Sequence, residues 1–200
     1  PCVDAQNKTT ASVRTMMIDS KGYLWIGTAD NSILRVKISS VNFNKPEGTK
    51  FEIFNSTTLN NDQLLFNIVF TIIENENGQI CFGTQSGVYI YSYSTQKISI
   101  LKYNDRINLV SDVRAFCFDG QNRLWMGTNG VGLLSFNQQT KQLRAYTTKN
   151  GLPDNSVYTI LSDDKNNLWL GTNKGICRFN PDQGIVRNFS LKDGIQNYEY

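Results

Sequence analysis

Three aspartates recur at one place in this 200-residue chain: Asp19, Asp119 and Asp163 each stand eight residues before the glycine of a repeated Gly-Thr pair. Carboxylates are the groups with which a glycosidase works, and cleavage needs two of them converging on one bond. One acid at the same place in several repeats reads instead as a turn cap, accepting hydrogen bonds from the backbone just after it. A second set of residues offers recognition. Arg14, Arg114 and Tyr158 share one column of the repeat, with Phe70 as its fourth member, and Asn108, Asp112 and Asn155 lie just ahead of it. Planar polar groups beside an aromatic ring are residue types that can recognise a polar ligand. The competing reading is that these side chains pack between repeats with their polar ends reaching water.

Composition removes other chemistry. The chain has no histidine, which excludes Ser-His-Asp triads, Cys-His dyads, histidine-zinc sites and a phospho-accepting histidine within it. Its four cysteines, Cys2, Cys81, Cys117 and Cys177, show no CxxC spacing, and the last three occupy apolar slots of the repeat. They read as small packed thiols, and no metal or cofactor is expected. A net charge of +3 without a clustered Lys/Arg face argues against nucleic acid as a partner. The longest apolar stretch, residues 64–73, is about half a membrane span and is interrupted by Asn67. The opening Pro1-Cys2-Val3-Asp4 reads as a cut into something longer.

The elements that must position these groups follow from the repeat. Trp25-Ile26-Gly27-Thr28, Cys81-Phe82-Gly83-Thr84, Trp125-Met126-Gly127-Thr128 and Trp169-Leu170-Gly171-Thr172 place their glycines 56, 44 and 44 residues apart. A period near 44 is that of a supersecondary unit. Upstream columns agree: Val13, Val69, Val113 and Val157; then Asp19, Asn75, Asp119 and Asp163; then Gly22, Gly78, Asn122 and Asn166. The Val-led segments read as first strands. Gly or Asn in one column marks a turn position at positive φ. The Leu-Trp-x-Gly-Thr segment is a second strand, apolar without alternation and so buried on both faces. Its glycine leaves room for a neighbouring backbone or ring. Third and fourth strands follow in each unit.

The expected fold is therefore all-β, a β-propeller of four four-stranded antiparallel blades at about 12–54, 68–103, 112–146 and 156–189, with 190–200 starting a following blade. A parallel β-helix is the structural alternative. The first unit is longer by twelve residues between Val36 and Asn67, read as a longer outer hairpin and connection, with a decorated functional loop as the other reading.

The stretch from Asn150-Gly151-Leu152-Pro153 to Val157-Tyr158, followed by Asp163-Asp164 and Asn167-Leu168-Trp169-Leu170-Gly171-Thr172, resembles the two-component regulator propeller repeat. That repeat belongs to the periplasmic sensor region of hybrid two-component histidine kinases typical of gut Bacteroidetes. The ending from Asp193-Gly194-Ile195-Gln196 to Glu199-Tyr200 is similar to the opening of that family's last blade. Departures are Cys81 at a Trp position and degenerate connections at residues 60–63 and 107–110. The resemblance implies a partial arc of a seven-bladed propeller, a non-catalytic and carbohydrate-sensing module, and a periplasmic location. It also implies partners: an oligosaccharide, the remaining blades and an immunoglobulin-like domain of the same protein, and a second copy in a homodimer. The kinase and the membrane helix would lie outside this chain. An isolated four-blade arc is expected to close compactly, pair with a second copy or aggregate, because its end faces are apolar.

Overall fold

The computed structural model describes residues 12–59, 66–103, 106–107 and 112–195. The chain forms two compact units, residues 1–101 and 102–200, and each holds two four-stranded antiparallel sheets. In the first unit, blade 1 consists of β1 (Val13–Ile18), β2 (Tyr23–Thr28), β3 (Ile33–Lys37) and β4 (Glu52–Phe54), followed by a single helical turn α1 (Ser56–Leu59). Blade 2 consists of β5 (Val69–Glu74), β6 (Ile80–Thr84), β7 (Gly87–Ser92) and β8 (Lys97–Ile100). The second unit begins with a short ribbon, β9 (Lys102–Tyr103) and β10 (Arg106–Ile107). Blade 3 follows as β11 (Val113–Phe118), β12 (Arg123–Thr128), β13 (Leu133–Asn137) and β14 (Leu143–Tyr146). Blade 4 is β15 (Val157–Ser162), β16 (Leu168–Thr172), β17 (Gly175–Asn180) and β18 (Ile185–Asn188). Strand order is sequential in every sheet, so each blade is a meander of hairpins.

The turns explain why the first two strands pair. Gly22, Gly78, Asn122 and Asn166 all have positive φ, between 58° and 74°, a region cheap only for glycine and tolerated by asparagine. The residue three places earlier closes each turn by accepting that residue's N–H on its own carbonyl, as in Gly22 to Asp19 at 2.9 Å and Asn166 to Asp163 at 3.0 Å. The threonine of each Gly-Thr pair fastens the next turn. Thr84, Thr128 and Thr172 donate to the carbonyls of Gly87, Gly132 and Gly175 at 2.7–3.0 Å, and Thr28 donates to Ser32 at 2.8 Å.

Within each unit the two sheets stack through their first and second strands. A Cβ on Gly27 would lie 2.6 Å from Val69 Cγ1, and one on Gly127 would lie 2.6 Å from the Val157 carbonyl oxygen. Gly27 and Gly127 therefore let the first strand of the following blade approach the second strand of the preceding one. Aromatic rings fill the space beside it. Trp25 packs on Phe82 and Tyr91 of blade 2, and Trp125 on Phe179 of blade 4. The blade 1 excess is a long connection from β3 to β4, residues 38–51, with two 3-10 turns, Ile38–Ser40 and Pro46–Gly48. The Cys81 and Cys177 thiols are buried and free, with burial pushing each pKa up to about 12; Cys117 is also free and half-buried.

Candidate functional site

All four first strands carry the same irregularity. Val13 pairs with Thr28 but Thr15 with Gly27, and the register shifts identically at Val69/Thr71, Val113/Ala115 and Val157/Thr159. The extra residue in each bulge is Arg14, Phe70, Arg114 or Tyr158, the very column singled out for recognition. A bulge bends its strand and re-aims the side chain of the extra residue, so four blades present this position by the same device.

In the second unit two of these residues meet. The Arg114 guanidinium lies 5.9 Å from the centre of the Tyr158 ring and forms an ion pair with Asp112. Asp112 also accepts a hydrogen bond from the Asn129 amide at 3.3 Å, and Ser156 Oγ donates to the Asn129 side-chain oxygen at 3.2 Å. Arg114, Asp112 and Tyr158 thus converge, joined by Asn129 and Ser156, which the sequence reading did not name. Their signal was position: Asn129 directly follows a scaffold threonine and Ser156 directly precedes a scaffold valine. The cluster offers cationic donors, an acidic acceptor, an amide and one aromatic face.

The other candidates have different places. Asn155 is occupied by structure: its carbonyl accepts from Gly130 and Gly132 N–H at 3.1 and 2.7 Å, and its side-chain oxygen accepts from Thr148 N–H at 2.9 Å. Asn67 stands in the same column and joins blades 1 and 2 through Asn31. Arg14 is exposed on β1 of the first unit. Asn108 lies outside the described residues.

The acid column is a scaffold. One Asp119 oxygen accepts from the N–H groups of Gln121 and Arg123, and the other accepts from the Trp125 indole at 2.7 Å and Arg123 Nε at 2.6 Å. Asp19 and Asp163 hold their turns and the indoles of Trp25 and Trp169 in the same way. Blade 2 carries Cys81 where the tryptophan would be, and there the neutral Asn75 stands in the acid's place and still caps its turn. Burial pushes the Asp19 and Asp119 carboxyls up, but the hydrogen bonds of Tyr93 and Trp25, and of Trp125 and Arg123, outweigh it and hold both below the ordinary value. Hydrogen bonds led by that of Asn167 bring Asp163 down to about 2. A general acid for glycoside cleavage needs the opposite shift. Among the described residues, no group of three Cys, Asp or Glu side chains could hold a metal ion, and no helix is long and apolar enough to cross a membrane.

Comparison with known proteins agrees with this architecture. A histidine kinase of Formosa agariphila, called P4, is 30% identical over 186 residues, which is 91% of this chain but 13% of that protein. The extracellular domain of a candidate hybrid two component system from B. thetaiotaomicron superposes with a TM-score of 0.71 at 22% identity, covering 94% of this chain and 22% of that one. A catalytically inactive virginiamycin B lyase from Staphylococcus aureus superposes with a TM-score of 0.69 at 18% identity, covering 98% of this chain and 62% of that one. These likenesses at low identity carry the propeller fold. The chain thus spans a small part of the kinase it matches. Residues 8–30, 109–130 and 151–174 match the model of the two component regulator propeller, so those three segments are similar to that family's repeat.

Proposed function

We propose that this chain is a non-catalytic part of the extracytoplasmic sensing region of a two-component histidine kinase, and that the cluster around Arg114 and Tyr158 contacts an oligosaccharide. The single observation that carries the ligand site is the pair of bulges in blades 3 and 4, which sets a guanidinium beside an aromatic ring. Ring faces take the apolar side of a sugar, and fixed donors and acceptors take its hydroxyls. The sensing role is supported by the regulator-propeller repeats and by the relationship to a histidine kinase. In this reading the region lies in the periplasm, its remaining blades and an immunoglobulin-like domain belong to the same protein, and two copies pair when ligand binds. The kinase and a membrane helix lie elsewhere in that protein.

A propeller enzyme acting on polysaccharide is the competing reading. The lyase likeness invites it, but the variant in that structure was inactivated by replacing a histidine, and this chain has none. The acid column is committed to turns and indoles. A protein-interaction propeller is the third reading, and homodimer contacts are compatible with it. The test is calorimetric titration of the chain with a panel of defined plant and host-glycan oligosaccharides, followed by chromatography for products. Binding without turnover, lost in Arg114→Ala and Tyr158→Ala with the melting temperature kept, is the expected result. Turnover would overturn the sensor reading, and binding indifferent to both substitutions would overturn the site.

A further inference from the structure

The two units differ in how they fill one slot beside the blade tryptophan. In the first unit Arg35 of β3 lies opposite Trp25, with its guanidinium carbon within 4.7–5.7 Å of the rings of Tyr23, Trp25, Phe54, Tyr91 and Tyr93. It forms an ion pair with Glu52 across the strand and donates to Tyr91 Oη at 2.8 Å. Tyr93, just beyond β7, closes the slot by donating its hydroxyl to Asp19. Guanidinium, rings and carboxylate leave a packed, neutralised site.

The second unit keeps the register and changes the fillers. Ser135 stands opposite Trp125 where Arg35 stands opposite Trp25, Arg144 stands opposite Ser135 where Glu52 stands opposite Arg35, and Pro181 follows β17 where Tyr93 follows β7. A cavity of about 220 Å³ opens there, lined among others by Gln121, Arg123, Ser135, Asn137, Gln142 and Arg144. Arg123 takes over the cation's place on the ring, 5.4 Å from the centre of Trp125, and its charge is answered by Asp119 and, at 3.4 Å, by Asp182. Arg144 is not so answered. It occupies the position of a carboxylate in the first unit, and among the described residues it has no ion-pair partner.

We infer that this cavity binds a small carboxylate-bearing ligand, with the carboxylate on Arg144. The remaining polar atoms of such a ligand meet the Ser135 hydroxyl and the amide groups of Asn137 and Gln142, and the Tyr146 ring forms one wall. An arginine fork matches a carboxylate in two parallel hydrogen bonds. The volume suits a single small molecule rather than a polymer, and the cavity shares no residue with the cluster around Arg114 and Tyr158, so this inference does not depend on the sensor reading. Both a sugar acid and a simple organic acid carry the required group.

The test titrates the chain with sodium D-glucuronate, sodium succinate and D-glucose by calorimetry. At least one of the two carboxylates is expected to bind, and glucose is not. Binding of glucuronate alone identifies a sugar acid, and binding of succinate identifies an organic acid. Arg144→Ala, a change at an exposed position, is expected to weaken carboxylate binding about tenfold or more. Ser135→Arg, which restores the filler of the first unit, is expected to abolish binding while the far-UV spectrum stays unchanged. Absence of binding by both carboxylates, equal binding of glucose, or affinity unchanged in Arg144→Ala overturns the inference.

Discussion

Gly127→Ala isolates the contact between consecutive blades. Gly127 lies on β12 opposite Ala115, and the new methyl would sit 2.6 Å from the Val157 carbonyl oxygen and 3.1 Å from Val157 Cγ1. Ordinary carbon contacts are about 3.5–4.0 Å, so roughly 1 Å must be found between two strands of adjacent sheets. The obstacle is backbone, which cannot rotate away. Overpacking of this kind costs about 1–3 kcal/mol, and removing glycine's extra freedom in the unfolded chain offsets about 0.5–1 kcal/mol of that. The expected net loss is about 1–2 kcal/mol, and at about 2–4 °C per kcal/mol for a chain of this length the melting midpoint falls by roughly 2–8 °C. Gly171→Ala is the control. Its methyl would meet Thr159 Oγ1 of its own blade at 2.4 Å and no backbone, an obstacle that turns aside by side-chain rotation. Circular dichroism melts and urea titrations of the two variants against the parent chain provide the measurement. A Gly127→Ala protein as stable as the parent, or a Gly171→Ala protein destabilised as much, would refute the role assigned to Gly127.

Asp119→Asn removes an acceptor from the fully buried Trp125 indole, and an unsatisfied buried donor costs about 1–3 kcal/mol. Asp163→Asn is expected to cost less because Trp169 is only partly buried; urea unfolding of both checks the order. The depressed carboxyls also set the acid limb. A carboxyl whose folded pKa lies below its unfolded value contributes stability above about pH 4, and that stability is lost as pH falls through the folded value. For Asp163 that value is about 2, with Asp19 and Asp119 lowered in the same direction. Thermal midpoints are therefore expected to fall between pH 4 and pH 2, and the fall is expected to shrink in Asp163→Asn. Equal midpoints at pH 6 and pH 2 would contradict the assignment.

Much of the fold was legible because it is written locally and repeatedly. The all-β class and four four-stranded sheets follow from valine-led strands, turn residues and the Gly-Thr period. The positive φ of Gly22, Gly78, Asn122 and Asn166 follows from residue type alone. The candidate column could be seen as a column, but the bulge that re-aims it could not. Arg14, Phe70, Arg114 and Tyr158 look like ordinary strand residues until the pairing register shows that each is the extra residue of a bulge. Nor could the sequence show that the side-chain oxygen and carbonyl of Asn155 accept hydrogen bonds within the loops.

By itself, then, the sequence determined the strands, the turns and the repeat, since these depend on backbone preferences and spacing within a few residues. Tertiary structure decided what each column is for. Gly127 makes room for Val157, Asp119 accepts an indole hydrogen, and Arg114 meets Tyr158, all through register and stacking between neighbouring strands. The same pairing position is filled by Arg35 in one unit and left open at Ser135 in the other. Such roles arise between residues that the fold brings together and the chain keeps apart, so no local pattern could carry them.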